Sequence, residues 1–455
     1  MKELELIKKA KIGNLVTVYE VIENQDSSLD YFAKLTDYGR RKNCILFESA
    51  EILPKYGEKT IGIFNPCLKI KGKDNNFEIQ PLNDLGRKFI RFLNKDFDFC
   101  DKVEYGKNAI RGKLSPIRKI VDEEQRLKLK THIDIIRKIA FKFKPINNRI
   151  VPSCGLFGFI SYDFIDQFED LPKNQKDILN EPDYELYFAD NLFIIDHSSN
   201  KLILVANALI MDYDRDELYK QCKEKIDYYK KIILERIPKK RKFKVKKQKI
   251  ETDCNKQDFV KIVNELKEHI LNGDIYQVVP SRTITTNYNA EPLDIYKQLR
   301  KLNPSPYMFY VNSENGILLG ASPETSLRVQ GVKEKVVEIR PIAGTKPRGF
   351  INGKIDQDLD SRYETELKID LKEVAEHTML VDLARNDIAR ISNPATRYVN
   401  ESMIVEKYSH VQHLVSNVKG ILKSELAALH AYLASMNMGT LTGAPKVEAM
   451  KLIRK

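Results

Sequence analysis

The chain has 455 residues, of which 42% are hydrophobic and 31% are charged, and its formal net charge is +12. This balance is typical of a folded globular protein, and the length allows two domains or one large two-lobed unit. No apolar run reaches the ~20 residues of a membrane-spanning helix, and the polar start of the chain does not resemble a signal peptide. The sequence therefore predicts no membrane association.

The positive charge and the six cysteines both bear on the cell compartment and on partners. Most lysines lie near acidic residues, and the one dense basic cluster, residues 239–247, offers only Phe243 for stacking on bases. We interpret the cluster as an exposed linker and expect no nucleic-acid partner.

The cysteines are scattered and form no C-x-x-C pair. This spacing predicts a reducing, cytoplasmic location and argues against a disulfide framework or a cysteine zinc site.

The first half of the chain is predicted to be rich in β-strands. Residues 44–47, which follow Asn43, form an apolar run that passes abruptly into Glu48 and Ser49. A strand that delivers polar groups to the edge of a pocket has this pattern, and so does a strand that ends in a simple turn. Periodicity predicts helices over 84–100, 123–141 and 217–234, and a hairpin over 192–206.

The second half carries clearer signals. An apolar stripe predicts a helix that ends at Gly273, and residues 274–282, which include Gln277, are predicted to form a strand. Glu324 follows a small-residue turn at the end of a predicted strand, a common position for a catalytic acid. We divide the chain into an N-terminal domain (1–235), a basic linker (236–256) and a catalytic domain (257–455).

Chemically active residue types are concentrated between Arg340 and Ser416. Gly344 and Thr345 lie in a predicted loop between Arg340 and Arg348. Backbone N–H groups, a hydroxyl and guanidinium groups together suit a small carboxylated molecule. The absence of a Walker loop or a G-x-G-x-x-G motif argues against a nucleotide.

Glu376 lies on a predicted long helix, residues 358–391, on an apolar stripe with Leu380 and Leu383. A half-buried carboxylate requires a partner, and the residue alone leaves both an arginine and a metal ion open. A carboxylated substrate beside this carboxylate requires a cation between them. Mg²⁺ meets that requirement with few protein ligands.

His410 and His413 occupy a predicted strand, on opposite faces, so they do not form a zinc pair. His413 is a candidate for proton transfer or hydrogen bonding to a substrate, and a structural histidine is equally consistent with its position.

Six motifs in order resemble the chorismate-utilising enzymes and, within them, the large subunits of anthranilate synthases. They are NPSPYM (303–308), GASPE (320–324), RPIAGT (340–345), EH to ND (376–387), YSH (408–410) and MGTLTGAPK (438–446). The resemblance implies an α/β (α+β) two-lobed fold with antiparallel β-sheets packed face to face and helices outside. It also implies a lyase that converts chorismate and ammonia to anthranilate and pyruvate, the first step of tryptophan biosynthesis.

The resemblance assigns roles to individual residues. Glu324 would be the general acid for the departing hydroxyl, and His413 matches the active-site histidine of the family. Gly344, Thr345 and Thr440 would line the chorismate pocket, Thr440 among the catalytic residues. Glu376 would be one ligand of Mg²⁺, the predicted cofactor.

Two positions distinguish members of the family. Isochorismate and salicylate synthases place a lysine base where this chain has Gln277, and without that base ammonia is the better nucleophile. Aminodeoxychorismate synthases often have a nucleophilic lysine in place of Ala343, and alanine cannot attack. Both positions favour direct amination to anthranilate. An aminodeoxychorismate synthase remains the alternative enzyme.

The resemblance also implies regulation and a partner. Glu48 and Ser49, together with Pro306, Tyr307 and Met308, match a tryptophan feedback site, where the end product would act allosterically. The expected partner is a glutamine amidotransferase subunit that supplies ammonia, in a heterotetramer.

Family members are expected to continue well past residue 455, with a second Mg²⁺-binding glutamate and groups for the substrate carboxylates. The resemblance therefore predicts a truncated chain with central strands and half of the metal site missing. An inactive remnant that still binds tryptophan or the partner subunit is a further alternative.

Overall fold

The computed structural model describes residues 2–50, 59–117, 122–147, 150–173, 177, 179–212, 215–243 and 248–455. The strands are β1 (Asn14–Glu23), β2 (Cys44–Glu48), β3 (Lys59–Ile63), β4 (Leu68–Lys73), β5 (Asn76–Pro81), β6 (Lys102–Tyr105), β7 (Ile110–Lys113), β8 (Lys144–Pro145), β9 (Gly155–Ile160), β10 (Tyr184–Ala189), β11 (Asn191–Asp196), β12 (Lys201–Leu209), β13 (Ile250–Thr252), β14 (Gln277–Val278), β15 (Ile284–Thr286), β16 (Tyr307–Asn312), β17 (Ile317–Ser322), β18 (Arg328–Gln330), β19 (Val336–Ile339), β20 (Ile342–Pro347), β21 (Phe350–Ile351), β22 (Lys354–Ile355), β23 (Tyr398–Lys407), β24 (Val411–Ile421) and β25 (Gly443–Ala444).

The α-helices are α1 (Lys2–Lys9), α2 (Ser28–Leu35), α3 (Asp84–Phe92), α4 (Glu123–Lys128), α5 (His132–Ala140), α6 (Arg215–Leu234), α7 (Lys256–Leu271), α8 (Pro292–Leu302), α9 (Gln357–Ile369), α10 (Leu371–Ala389), α11 (Ala428–Ser435) and α12 (Lys446–Ile453). Residues Tyr162–Gln167 and Gly439–Leu441 form 3-10 helices. Within the described residues, no helix is both long and apolar enough to cross a membrane.

The largest sheet contains strands from both halves of the chain. Among the described residues its strand order is β17-β16-β2-β3-β11-β12-β1-β8. Its pairs are antiparallel, except that β8 lies parallel to β1. β16 lies beside β2, so that Met308 is the cross-strand partner of Glu48. The division into 1–235 and 257–455 stays a prediction, since this sheet draws on both parts.

A second, antiparallel sheet with the order β6-β7-β5-β4-β10-β9 packs face to face with the largest sheet. Their interface is a cluster of buried apolar side chains, which includes Ile45, Ile194 and Val311 of the large sheet and Tyr187 of the smaller one. Each such aliphatic side chain contributes ~1.5–3 kcal/mol when buried. Alternation of side chains along the strands sends the neighbouring residues to the opposite face.

Helices cover that opposite face of the large sheet. Phe32 of α2, Tyr229 of α6 and Tyr296 of α8 are buried there against strand residues such as Tyr310. The predicted α/β (α+β) fold, with antiparallel sheets packed face to face and helices outside, is confirmed.

A third sheet carries the RPIAGT motif at the start of β20, and the YSH motif lies in the turn between its strands β23 and β24. Its order is β18-β19-β24-β20, and β23 also pairs with β24. Helix α10 packs on β20 and β24, and its Ile388 is buried in the same cluster as Val337 and Val418 of the sheet. The helix therefore has one face fixed against β20 and β24.

The segment 358–391 is two helices, where the sequence predicted one. α9 ends at Ile369 and α10 begins at Leu371, because the backbone of Asp370 between them is extended (φ −67°, ψ 110°). The Asp370 carboxylate accepts hydrogen bonds from backbone N–H groups in the first turn of α10, including that of Glu373. Such an N-cap stabilises the start of a helix at this point.

Three other predicted boundaries were wrong. The helix predicted over 84–100 ends at Phe92, because the chain turns at Lys95, whose φ is +66°. The helix predicted over 123–141 is interrupted before Thr131, which caps α5. The strand predicted over 274–282 is reduced to Gln277–Val278, since Pro280 has no N–H to extend the pairing.

Other predictions were confirmed. The hairpin over 192–206 lies within β11 and β12, and the helix over 217–234 lies within α6. Residues 239–243 of the basic cluster have no regular secondary structure, and residues 244–247 lie outside the described residues.

Candidate active site

Glu324 is held between two other segments of the chain. Its carboxylate accepts hydrogen bonds from the backbone N–H of Ile342 (3.1 Å) and from the Thr440 hydroxyl (2.8 Å). Burial raises the pKa of Glu324 to about 7, although both hydrogen bonds act in the opposite direction. A carboxyl group that is about half protonated at neutral pH is suited to donate a proton to a leaving oxygen.

His413 lies on β24, opposite Thr345 of β20. Its Nδ1 lies 3.3 Å from the Gly344 carbonyl oxygen and 2.9 Å from Thr345 Oγ1. A carbonyl oxygen only accepts, whereas the Thr345 hydroxyl can donate or accept. From the Gly344 contact we assign the hydrogen of the neutral ring to Nδ1 and the lone pair to Nε2. Burial lowers the pKa of His413, which favours this neutral form.

The backbone at Gly344 requires glycine. Its φ is +83°, and the β20–β24 register shifts between Ala343 and Thr345. A Cβ at Gly344 would lie 3.2 Å from a methyl group of Leu414 and 3.4 Å from Glu373. The bend lets the Thr345 N–H reach the Glu373 carboxylate at 3.2 Å.

Two carboxylates face this region from the first turns of α10. Glu376 accepts a hydrogen bond from the Gln277 side-chain amide (2.9 Å), and Glu373, one turn earlier, is bonded to Thr345. Sequence reasoning identified Glu376 and Gln277 but missed Glu373, whose i, i+3 spacing from Glu376 was the available signal. Among the described residues, no group of three or more His, Cys, Asp or Glu side chains could hold a metal ion.

Gln277 connects this pair to the segment that holds Thr440. β14 pairs with β25, so that Gln277 is the partner of Ala444. Gly443 allows the two strands to approach, because a Cβ there would lie 2.1 Å from the backbone carbonyl oxygen of Gln277. The side-chain oxygen of Gln277 is buried and has no hydrogen-bond partner among the described residues. Among these residues it therefore remains an unused acceptor.

Strand β20 links the acid to the histidine. Its first residue, Ile342, binds Glu324, and Gly344 and Thr345 bind His413. Three residues along a strand span about 10 Å. A cavity of about 400 Å³ lies further along the same face of α10 as Glu376, and it is lined by residues that include Tyr276, Met379, Leu383, Asp387 and Lys446.

The family of chorismate binding enzymes matches residues 104–455 of the chain. That span is more than three quarters of its length and contains each side chain of the proposed catalytic site described above. The chain belongs to the chorismate binding enzyme family.

Curated relatives within this family are anthranilate synthase component 1 proteins. The protein of Buchnera aphidicola subsp. Pemphigus spyrothecae is 38% identical over 91% of this chain and 79% of its own length. The Haemophilus influenzae protein is 39% identical over 90% of this chain and 78% of its own length. The Vibrio parahaemolyticus protein is 36% identical over 100% of this chain and 83% of its own length. The predicted resemblance to anthranilate synthase component I is confirmed.

Solved structures agree on the fold. Anthranilate synthase component I of Streptococcus pneumoniae has a TM-score of 0.65 and 26% identity over 89% of this chain and 78% of its own. The menaquinone-specific isochorismate synthase of Escherichia coli has a TM-score of 0.59 over 99% of this chain and 82% of its own, at 14% identity. The second likeness concerns the fold alone.

In this chorismate binding enzyme, His377 next to Glu376 is a structural residue. It is buried, with Nδ1 lying 3.2 Å from the Ala343 carbonyl oxygen and Nε2 lying 2.7 Å from the Ser416 hydroxyl. These bonds attach α10 to both β20 and β24. Burial lowers the pKa of His377, so the ring is neutral and satisfied on both nitrogens.

The expectation that Arg340 and Arg348 present guanidinium groups to an anionic substrate does not hold. Arg340 is buried and forms ion pairs with Glu401 (2.9 Å) and Glu406 (2.8 Å). Arg348 donates to the buried carboxylate of Asp360 at 2.8 Å. Both arginines stabilise the third sheet and its connections instead.

The candidate tryptophan residues lie together where β2 and β16 meet, but on two faces of the sheet. Glu48 and Met308 are cross-strand partners on the face covered by helices, and Met308 is in the core. Tyr307 alternates to the other face, and Ser49 directly follows the last residue of β2. The Tyr307 hydroxyl is hydrogen-bonded to that of Thr325, the residue after Glu324.

Glu48 is already engaged within the protein. Its two oxygens accept hydrogen bonds from Ser28 (2.9 Å) and Tyr296 (2.7 Å), and Arg300 lies 3.3 Å away. The Ser49 hydroxyl oxygen is buried and has no hydrogen-bond partner among the described residues. Pro306 is buried beside them. Of the polar pair, Ser49 is therefore the one whose side-chain oxygen has no partner among the described residues.

Proposed function

We propose that this chain is the chorismate-converting component of an anthranilate synthase, which combines chorismate with ammonia to give anthranilate, pyruvate and water. The observation that carries the proposal is Glu324, a carboxyl group with a pKa of about 7 held by Thr440 and β20. The alternative, an aminodeoxychorismate synthase, is disfavoured by Ala343, which has no nucleophilic atom.

Glu324 supplies the proton for the first bond cleavage. Ammonia forms a C–N bond to the ring carbon next to the one that bears the carboxylate, and the ring hydroxyl leaves as water. An ionised hydroxide is a poor leaving group, so a protonated carboxyl group near that oxygen lowers the barrier. Thr440 and the Ile342 N–H keep the Glu324 carboxyl group oriented.

Gln277 orients the nucleophile. Its side-chain amide N–H donates to Glu376. Its side-chain oxygen is buried, has no partner among the described residues, and can accept an N–H of ammonia. A lysine at this position would instead carry a positive charge or, when neutral, act as a base for water. The amide therefore favours amination over hydration.

His413 takes the proton that must leave the ring when the enolpyruvyl group is eliminated. The neutral ring donates from Nδ1 to the Gly344 carbonyl oxygen, which leaves Nε2 as the basic nitrogen. Loss of this proton and cleavage of the bond between the ring carbon and the enolpyruvyl oxygen make the ring aromatic. The released enolpyruvate takes up a proton and becomes pyruvate.

We infer that Mg²⁺ binds at Glu376, with Glu373 beside it. Two carboxylates one helical turn apart are oxygen donors that suit this ion, and water and substrate can complete its shell. When bound, the ion would neutralise the repulsion between these side chains and the ring carboxylate of chorismate. Gln277 and the Thr345 N–H hold the two carboxylates in place.

We further propose the predicted partner and control of this enzyme. A glutamine amidotransferase subunit would supply ammonia, in a heterotetramer. Tryptophan would bind where β2 meets β16, at Ser49, Pro306 and Tyr307, with Glu48 and Met308 supporting the site from the opposite face. The cytoplasmic location predicted from the cysteines also stays a proposal.

The test incubates the purified chain with chorismate, ammonium and Mg²⁺ and separates the products by chromatography with fluorescence detection. We expect anthranilate and pyruvate in equal amounts. Formation of a 4-amino product or of isochorismate would overturn the assignment. The absence of any chorismate turnover would also overturn it, in favour of the inactive remnant.

A further inference from the structure

A buried ion pair lies behind the active-site histidine. Arg340 is 3% exposed and follows β19, and its two terminal nitrogens bind Glu401 and Glu406 of β23. Glu406 is also buried and is the cross-strand partner of His413. One carboxylate oxygen of Glu406 accepts from Arg340, which leaves the other for a second donor.

Tyr408 supplies that second donor. Its hydroxyl donates to the remaining oxygen of Glu406 at 2.9 Å. Its ring lies edge-on to the imidazole of His413, with the ring centroids 5.4 Å apart and the planes at 64°. Tyr408 is buried and opens the turn between β23 and β24, where its N–H donates to the Val411 carbonyl oxygen. Its position is therefore fixed at both ends.

The His413 ring is thus bounded on two sides. β20 provides the Gly344 carbonyl oxygen at 3.3 Å, which is a long hydrogen bond, and the Thr345 hydroxyl at 2.9 Å, whereas Tyr408 provides the packing surface. A half-turn of the ring about the Cβ–Cγ bond would exchange the places of Nδ1 and Cδ2, and those of Nε2 and Cε1. That rotation would leave the Gly344 carbonyl oxygen without its donor and would move Nε2.

We propose that Tyr408 is a positioning residue for His413, and that the Arg340–Glu406 pair acts on His413 through Tyr408. The proposal rests on the proposed function, in which Nε2 of His413 receives a proton. An edge-on aromatic contact has a preferred geometry. A tyrosine anchored by a buried carboxylate therefore limits the orientations of the imidazole more than the contacts with Gly344 and Thr345 of β20 do by themselves.

Four variants test this chain of contacts by kinetics. Tyr408→Leu removes the ring, and we expect kcat to fall about 10- to 100-fold with little change in the KM for chorismate, since misplacement of a reacting group acts on the chemical step. Tyr408→Phe keeps the ring and loses the anchor, so we expect a smaller loss, about threefold to tenfold. Glu406→Gln should lower kcat by a similar factor. The double variant Tyr408→Phe with Glu406→Gln should be no worse than the worse single variant.

Glu401→Gln is the matched control. It removes the other carboxylate of the same buried arginine, at a similar distance, and leaves Tyr408 and Glu406 in place. We expect its kcat to stay within about twofold of the wild type. A loss of kcat in Glu401→Gln as large as that in Glu406→Gln would overturn the proposal. A double variant whose fold-loss in kcat equals the product of the two single fold-losses would overturn it as well. Thermal unfolding of each variant confirms that it is folded.

A spectroscopic readout separates this proposal from the proposed function. NMR of ¹³C- and ¹⁵N-labelled histidine reports which ring nitrogen carries the hydrogen, and a His413→Gln sample assigns the signal among the seven histidines. We expect one Nδ1–H form in the wild type and a mixture in Tyr408→Leu. A single Nδ1–H form in Tyr408→Leu would overturn the positioning role, even for a protein that makes no anthranilate.

Discussion

The Thr440 hydroxyl donates a hydrogen bond to the carboxylate of Glu324 at 2.8 Å, and it is one of two bonds that hold the pKa of this group below the value that burial alone would give. The bond therefore tunes an acid as well as holding it. Removal of this hydrogen bond should therefore raise the pKa of Glu324.

We expect Thr440→Val to raise the pKa of Glu324, because the ionised carboxylate loses a donor while burial is unchanged. The basic limb of the kcat/KM profile should then move to higher pH. Thr440→Ser keeps the hydroxyl and should leave the limb in place. A limb that moves to lower pH in Thr440→Val would contradict Glu324 as the acid.

The wild-type enzyme should show a bell-shaped pH profile of kcat/KM. Glu324 must be protonated, so activity should fall as pH rises through about 7. His413 must be neutral, and burial lowers its pKa below the usual 6.5, so activity should fall again only in more acidic solution. Steady-state rates across the pH range check both limbs. Glu324→Gln should remove the basic limb along with most of the activity.

Gln277→Met should impair the use of ammonium more than that of chorismate. The variant keeps the volume of the side chain but loses both the acceptor and the N–H that binds Glu376. We expect the KM for ammonium and the Mg²⁺ concentration for half-maximal rate to rise about tenfold, as for other supporting groups of metal ligands. Tyr276→Phe, at the exposed neighbouring position, is the control and should change neither value.

Asp360→Asn should destabilise the fold. Asp360 is 1% exposed and receives Arg348 (2.8 Å), Lys407 (3.0 Å) and the Gly349 N–H (2.9 Å). Removing one partner of a buried ion pair costs about 3 kcal/mol in the free energy of unfolding. Urea denaturation at pH 7 measures the difference.

The same variant makes a prediction about pH. The Arg348 guanidinium holds the pKa of Asp360 well below 3.8, so its ionised form stabilises the fold above that pH. The difference between wild type and Asp360→Asn should therefore shrink as pH falls below about 4. Asp358→Asn disrupts an exposed pair with Arg362 and should stay within about 0.5 kcal/mol of wild type at every pH. Equal effects of the two substitutions would contradict the burial argument.

Ser49→Leu should abolish tryptophan binding in calorimetry and leave the KM for chorismate unchanged. The Ser49 hydroxyl oxygen has no hydrogen-bond partner among the described residues, whereas the Glu48 carboxylate is engaged by Ser28 and Tyr296. A leucine at position 49 removes the polar contact and fills space at the end of β2. Unchanged tryptophan affinity in this variant would move the proposed site elsewhere.

Sequence reasoning predicted the parts of this structure that depend on residues close together in the chain. The periodicity of residues 217–234 predicted α6, and Glu324 was identified because a strand and a small-residue turn precede it. Residue-by-residue resemblance assigned Gln277 and Glu376, and the structure joins their side chains at 2.9 Å. The assigned roles stay predictions until the assays are done.

The parts that sequence reasoning missed depend on distant contacts. Asp370 interrupts the predicted long helix only because its carboxylate caps α10, a choice that periodicity does not report. The pairing of β16 with β2 joins residues more than 250 positions apart. The sequence suggested that Arg340 and Arg348 could bind an anion, because no local pattern shows that they pair with Glu406 and Asp360.

The hydrogen bonds that β20 makes to Glu324 and His413 have a consequence for mutational tolerance. Both bonds use backbone atoms, the N–H of Ile342 and the carbonyl oxygen of Gly344. The separation of the proton donor and the proton acceptor is therefore measured along covalent peptide units, whose dimensions hardly vary. Apolar substitutions around the third sheet can therefore accumulate and change the melting temperature while the distance between these two backbone atoms is preserved.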